Sequence, residues 1–253
     1  MKRIYLSLII ISLYFIGNSQ EAQQILSPAI KMESKDWYLD QAELWKEKAH
    51  KNPKIENNWT QYVRAIYYSK PNDTIYSQVY EELEKHIPNS FPFYYLKHRQ
   101  FPKSDEFLDS AYAKNPEYTD LWEAQLVRAL KNGDKANQIL FSEKLLYSEE
   151  EDISLYHWSY NMLQSLEKDA ILFTHGDNDS FGAWILQNAK NFRTDVLVLN
   201  TYLLMDSTYC NLYWKMLIPE EKWVSLSDYY NNNKIKWDNG DAYIIWLMKK
   251  FAD

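Results

Sequence analysis

The chain has 253 residues, with 28 Lys and Arg against 35 Asp and Glu and a net charge of −7. That balance, with no basic cluster, argues against a nucleic-acid partner, because such binding rests on neutralising phosphates with Lys and Arg. Five glycines beside 10 Trp and 21 Tyr describe a helical chain packed with large amphipathic rings, and the one cysteine, Cys210, has no mate for an internal disulfide.

At the N-terminus, Lys2 and Arg3 precede an apolar run from Ile4 to Ile16. Gly17-Asn18-Ser19 then supplies small residues at the −3 and −1 positions of a cleavage site. Residues 1–19 therefore read as a secretory signal peptide, with Gln20 opening a mature chain that is periplasmic or secreted. The alternative, a retained anchor, needs ~20 apolar residues to cross a bilayer core, and this run is shorter. Cysteine is absent near the cleavage site, which removes a lipoprotein-type acyl anchor. Cleavage takes away two basic residues and no acidic one, making the mature chain more acidic still. Later apolar runs, such as Ile171–Phe173 and Val196–Leu199, have strand length, so no membrane span is expected after cleavage. Residues 20–35 read as a flexible N-terminal segment.

Residues 36–167 carry a helical rhythm. Pro53 is followed six residues later by Trp59, Pro88 by Tyr94 and Pro116 by Trp122. Each aromatic opens a similar run: Trp59-x2-Tyr62-Val63-x2-Ile66, Tyr94-x2-Lys97-His98-x2-Phe101 and Trp122-x2-Gln125-Leu126-x2-Ala129. Second helices follow from apolar residues at three- and four-residue spacing: Ala42, Trp45 and Ala49; Ile75, Val79 and Leu83; Phe107, Leu108 and Ala111. Each leads to a proline, which cannot continue a helix. The pattern resembles the tetratricopeptide repeat, a helix–turn–helix unit whose stacked copies leave a concave face open. It departs from that signature where a small residue is wanted, because Val63, His98 and Leu126 stand there. Their bulk would loosen the close helix approach. The stretch reads as three to four degenerate helical hairpins with a groove for a protein or peptide partner.

Past Lys168 the rhythm changes, and residues 168–253 read as a small α/β domain. Ala170–Thr174 is a short apolar run suited to a buried strand, and Asp195–Leu199 is a second. A helix over Ala183–Ala189 between them completes a parallel βαβ unit. Further helices are expected over Ser207–Leu217 and Ala242–Phe251, with a loop at Asn231–Lys234 and a weak strand candidate at Lys222–Leu226. The predicted fold class is thus mainly α with a C-terminal α/β part. A βαβαβ plan would place another strand after the last helix, so the domain reads as truncated or completed by a partner. A third paired strand within Met205–Asp253 would remove that reading.

Ligands of open parallel sheets bind beyond the carboxyl ends of the strands. Those ends carry His175-Gly176-Asp177-Asn178-Asp179-Ser180 and Asn200-Thr201. His175, Asp177, Asn178, Asp179 and Asn200 form the candidate ligand site. Two carboxylates with an imidazole and an amide could hydrogen-bond a glycan, and Asp177 with Asp179 could hold a divalent cation; no organic cofactor is called for. The competing reading is structural: Asp179 or Asn178 caps a helix that starts near Ser180, and Gly176 supplies the turn. Known motifs do not fit. A calcium loop opening at Asp177 would have Phe181 at a ligand position and Asn188 in place of the bidentate glutamate. A dinucleotide turn needs three glycines, and only Gly176 is present. His50, His86, His98 and His157 are scattered through the helical stretch and read as packing or capping residues.

The run Ala170–Gln187, continuing through Arg193-Thr194-Asp195-Val196 to Asn200, resembles a soluble segment of a bacterial family of unknown function. That family's better-known members are multi-span membrane proteins likened to protein O-mannosyltransferases. The matching positions are Gly176, Asp177, Asn178, Asp179, Trp184, Gln187, Arg193, Asp195 and Asn200. The resemblance implies a shared extracytoplasmic α/β module beside helical repeats. It does not carry a transferase activity over, because the membrane spans that would hold such chemistry are not in this sequence. The functional expectation is an exported, noncatalytic interaction protein. The alternative is a glycan- or metal-binding, hydrolytic α/β domain using Asp177 and Asp179.

Overall fold

The computed structural model describes residues 21–28, 30–148 and 152–217. The signal peptide, the weak strand at Lys222–Leu226, the loop at Asn231–Lys234 and the helix at Ala242–Phe251 lie outside these residues. The chain divides into two compact units, 1–117 and 118–253. The break falls inside the stretch read as one helical domain. Among the described residues the fold is mainly helical, with ten α-helices and one two-stranded parallel sheet. None of these helices is long and apolar enough to cross a membrane.

The first unit holds α1 (Lys35–Lys51), α2 (Glu56–Tyr68), α3 (Asp73–His86), α4 (Phe91–Gln100) and α5 (Asp105–Lys114). Local chemistry sets several of the starts. Ser34 Oγ accepts the Trp37 amide at 3.1 Å, Asn72 Oδ1 accepts that of Ile75 at 3.1 Å, and Pro92 occupies the first turn of α4. Such caps satisfy amides that a helix leaves unpaired. The six-residue Pro–Trp offset has a physical cause at its first occurrence, where the Trp59 indole donates to the Pro53 carbonyl at 3.1 Å. α1 packs closely on α2 and α4 on α5, whereas α2 and α3 meet through rings, with Trp59 stacked on His86. His50 also lies against both rings, and its Nε2 stands 3.1 Å from Glu82 Oε2. Val63 and His98, bulky where a repeat wants a small residue, are both buried.

Part of the segment read as flexible, residues 23–25, is held against the helices. Ile25 is fully buried, and residues 23 and 25 present their backbone groups to α1 and α2. Buried polar side chains on those helices, paired with backbone, hold it there.

The second unit comprises α6 (Asp120–Asn132), α7 (Lys135–Leu146), α8 (Ile153–Gln164), β1 (Ile171–Thr174), α9 (Asp177–Lys190), β2 (Leu197–Asn200) and α10 (Ser207–Leu217). A 3-10 turn at Leu203–Met205 precedes α10. Gly133 closes α6 at φ 67°, a left-handed position that favours glycine. β1 and β2 pair in parallel, with Ile171 opposite Leu197 and Thr174 opposite Asn200. The crossover helix α9 packs on α7 and α8 and against β2. Phe181, Ala183, Trp184 and Ile185 form its buried side. A two-stranded sheet cannot bury a crossover helix alone, and α7 and α8 supply the missing cover. That packing is why the helical stretch divides where it does.

Candidate functional site

Thr174 and Asn200 end the paired strands side by side, and the acidic turn leaves β1 at that end. α9 begins at Asp177, three residues earlier than the expected start near Ser180. The reason is Asp179, in the first turn. Its Oδ1 accepts the Gly176 amide and its Oδ2 the His175 amide, both at 2.7 Å. It therefore reaches back over the helix start, as the third residue of a capping box does, rather than forward from the N-cap. The first-turn positions also set Asp177 and Asp179 at the positive end of the helix dipole. Gly176 has φ −137° and ψ −174°, extended backbone that any residue adopts, so this turn does not depend on glycine.

Asn200 is buried and fully engaged. Its Nδ2 donates to Ser180 Oγ at 2.8 Å and to the Gly176 carbonyl at 3.3 Å, while its Oδ1 accepts the Leu203 amide at 3.0 Å. Thr174 Oγ1 and Ser180 Oγ share a 2.7 Å bond beneath it. His175 is exposed; its Nδ1 lies 2.8 Å from Thr201 Oγ1, and its ring rests on Tyr202 at 4.6 Å between centroids.

The other motif positions are structural as well. Trp184 Nε1 donates to the Val198 carbonyl at 3.4 Å, and Gln187 Nε2 to the carbonyls of Arg193 and Val196 at 2.8 and 2.6 Å. Arg193, at φ 47°, spreads its guanidinium over the carbonyls of Leu163, Leu166 and Glu167 at 2.7–2.9 Å. It also grips both oxygens of Asp195. The bonds from Arg193 hold the Asp195 carboxyl at about 2, against an ordinary 3.8.

Residues 155–236 match a family model described as TMEM260-associated domain 2. The match covers about a third of the chain, from α8 through the βαβ unit and beyond α10, and makes this segment similar to a TMEM260-related family of unknown function. No curated protein and no solved structure matches the chain significantly.

Within the matched segment, Asp177 and Asn178 differ from the other motif residues. Both are exposed, and among the described residues neither side chain has a hydrogen-bond partner. They line an open cleft of about 720 Å³ together with His175, Gly176, Asp179, Leu155 and Trp158. The structure thus brings His175, Asp177, Asn178 and Asp179 to one cleft and keeps Asn200 in the core beneath. Among the described residues no group of three or more His, Cys, Asp or Glu is placed to hold a metal ion. Trp158, 48% exposed, was missed by sequence reasoning. Its three-residue spacing from Leu155 puts the two on one helix face, but the direction of that face depends on how α8 packs.

Proposed function

We propose that this chain is an exported, noncatalytic interaction protein of the periplasm or cell exterior, whose tetratricopeptide-like helical hairpins hold a protein or peptide partner. One observation carries the reading: α1 and α2 already grip a stretch of non-helical backbone through Gln41, Trp45, Gln61 and Arg64. A helical surface able to satisfy peptide N–H and C=O groups with its side chains has the chemistry that peptide recognition needs. The second unit supports a noncatalytic reading. Most of the motif residues along its βαβ segment are spent on the fold, Asp179 through both carboxylate oxygens, whereas Asp177 and Asn178 are not.

A peptide array tiled from envelope proteins tests this. Purified mature chain and a chain lacking residues 20–27 are both applied, so that a filled groove is not mistaken for an inert one. Discrete peptides should be retained, and Gln61→Ala with Arg64→Ala should weaken retention at least tenfold. If neither form is retained by any peptide, the reading fails.

A second reading rests on the cleft. The half-exposed Trp158 beside Asp177 and Asn178 offers an apolar ring with nearby acceptors and donors, as glycan recognition uses. Titration with short oligosaccharides, followed by Trp fluorescence, should show saturable binding lost in Trp158→Ala and Asp177→Ala. Equal responses in parent and variants would refute it.

A further inference from the structure

The docked segment has a pattern that says what the groove reads. The Gln23 amide donates to Gln41 Oε1 at 2.7 Å and the Gln23 carbonyl accepts Trp45 Nε1 at 2.7 Å. Two residues on, the Ile25 amide donates to Gln61 Oε1 at 2.8 Å and the Ile25 carbonyl accepts Arg64 Nη1 at 2.7 Å. Backbone groups of residues i and i+2 face the same side only in extended chain. Gln41, Gln61 and Arg64 are themselves at least nine-tenths buried. Buried polar side chains need partners, and here three of them, on two helices, use one extended strand for the purpose. Among the three residues 23–25, only one side chain is buried. Ile25 is fully buried, whereas Gln23 and Gln24 are exposed.

We propose that the α1/α2 face is an extended-peptide site, that Gln23–Ile25 is its resident occupant, and that a partner peptide with an aliphatic residue in the place of Ile25 takes the site by displacing this segment. The proposal rests on the peptide-partner reading above and adds its specificity and regulation. Recognition through backbone tolerates varied sequence at the flanking positions and demands one aliphatic side chain. The resident segment joins α1 through only nine residues, 26–34, so its effective concentration is high and a free peptide competes against it. The mature chain is therefore a closed form, and release of the segment opens it.

Fluorescence anisotropy with a labelled peptide of sequence Glu21–Ile30 tests this. The chain lacking residues 20–27, its helicity checked by circular dichroism, should bind one peptide at least tenfold more tightly than the mature chain does. Replacing the peptide's Ile25 by Asp, or Arg64→Ala in the shortened chain, should weaken binding at least tenfold, while Gln24→Ala in the peptide should not matter. Full-length Ile25→Asp gives a second open form. A folded open form that does not bind the peptide, or binds it no better than the mature chain, overturns the proposal. Loss of fold in both open forms overturns it too, because the segment is then a fixed part of the core. Array peptides retained equally by closed and open chains would leave the partner reading standing and remove this one.

Discussion

Gly182→Ala probes the contact that shapes the cleft wall. A Cβ at Gly182 would collide with Ser159 Oγ on α8 and stand 3.0 Å from Ser159 Cβ and 3.3 Å from the Leu155 carbonyl oxygen. The hydroxyl can rotate away, but the other two atoms move only with the helix. Overpacking of this kind costs roughly 1–3 kcal/mol. Replacing a helical glycine by alanine returns up to ~1 kcal/mol. Taken at mid-range the two leave a net loss of about 1 kcal/mol, measured by urea unfolding followed with circular dichroism and Trp fluorescence. Because Leu155 and Trp158 stand on the same helix, the variant should also alter the cleft. Ser159→Gly in the same chain removes the opposing Cβ and should recover about 1 kcal/mol or more as coupling energy. Ser159→Ala alone should be neutral or slightly stabilising, since its buried hydroxyl has no partner among the described residues. A Gly182→Ala chain as stable as the parent, or a double variant without coupling, would refute the close α8–α9 approach.

Asp179→Ala should cost about 1–2 kcal/mol by freeing two backbone amides at the start of α9, whereas Asp177→Ala should stay within about 0.5 kcal/mol of the parent in the same melt. Asp195 is held at about 2 by its bonds from Arg193, below the ordinary 3.8. Its folded value is lowered, so its stabilisation is present above about pH 4 and lost as pH falls toward 2; Asp195→Asn should flatten that part of an acid-unfolding curve. Burial raises the phenols of Tyr62, Tyr80 and Tyr209 above their ordinary 10.0. The unfolded chain ionises them first, so stability should fall as pH rises through about 10, with phenolate absorbance appearing together with unfolding. Calcium or magnesium should leave the melting temperature unchanged, since Asp179 is committed to backbone; a rise of several degrees would restore a cation to the acidic turn.

The helix at Ser207–Leu217 and the two strands were readable because apolar spacing and chain length leave few alternatives for such runs. The start of α9 was not, because a carboxylate reaching back to cap a helix lengthens it by residues that look like loop. The docking of Ile25 was hidden for a different reason. Ile25-Leu26 between two glutamines and Ser27-Pro28 shows no helical or strand period, and the groups that hold Ile25 in place, Gln61 and Arg64, lie 36 and 39 residues away. In the acidic turn, the residue types were visible but their allocation was not. Asp177 and Asp179 are two positions apart, yet one is solvent-facing and the other is bonded through both oxygens. Only the helix geometry separates them.

Arg193 joins three carbonyls at the end of α8 to the loop that enters β2. A helix end and a strand entry tied by one side chain cannot fray independently. Amide hydrogens across residues 163–167 and 193–197 should then exchange through a shared opening, as one cooperative unit rather than two. The cleft wall that carries Trp158 belongs to the same unit, so whatever loosens the strand entry loosens the cleft with it.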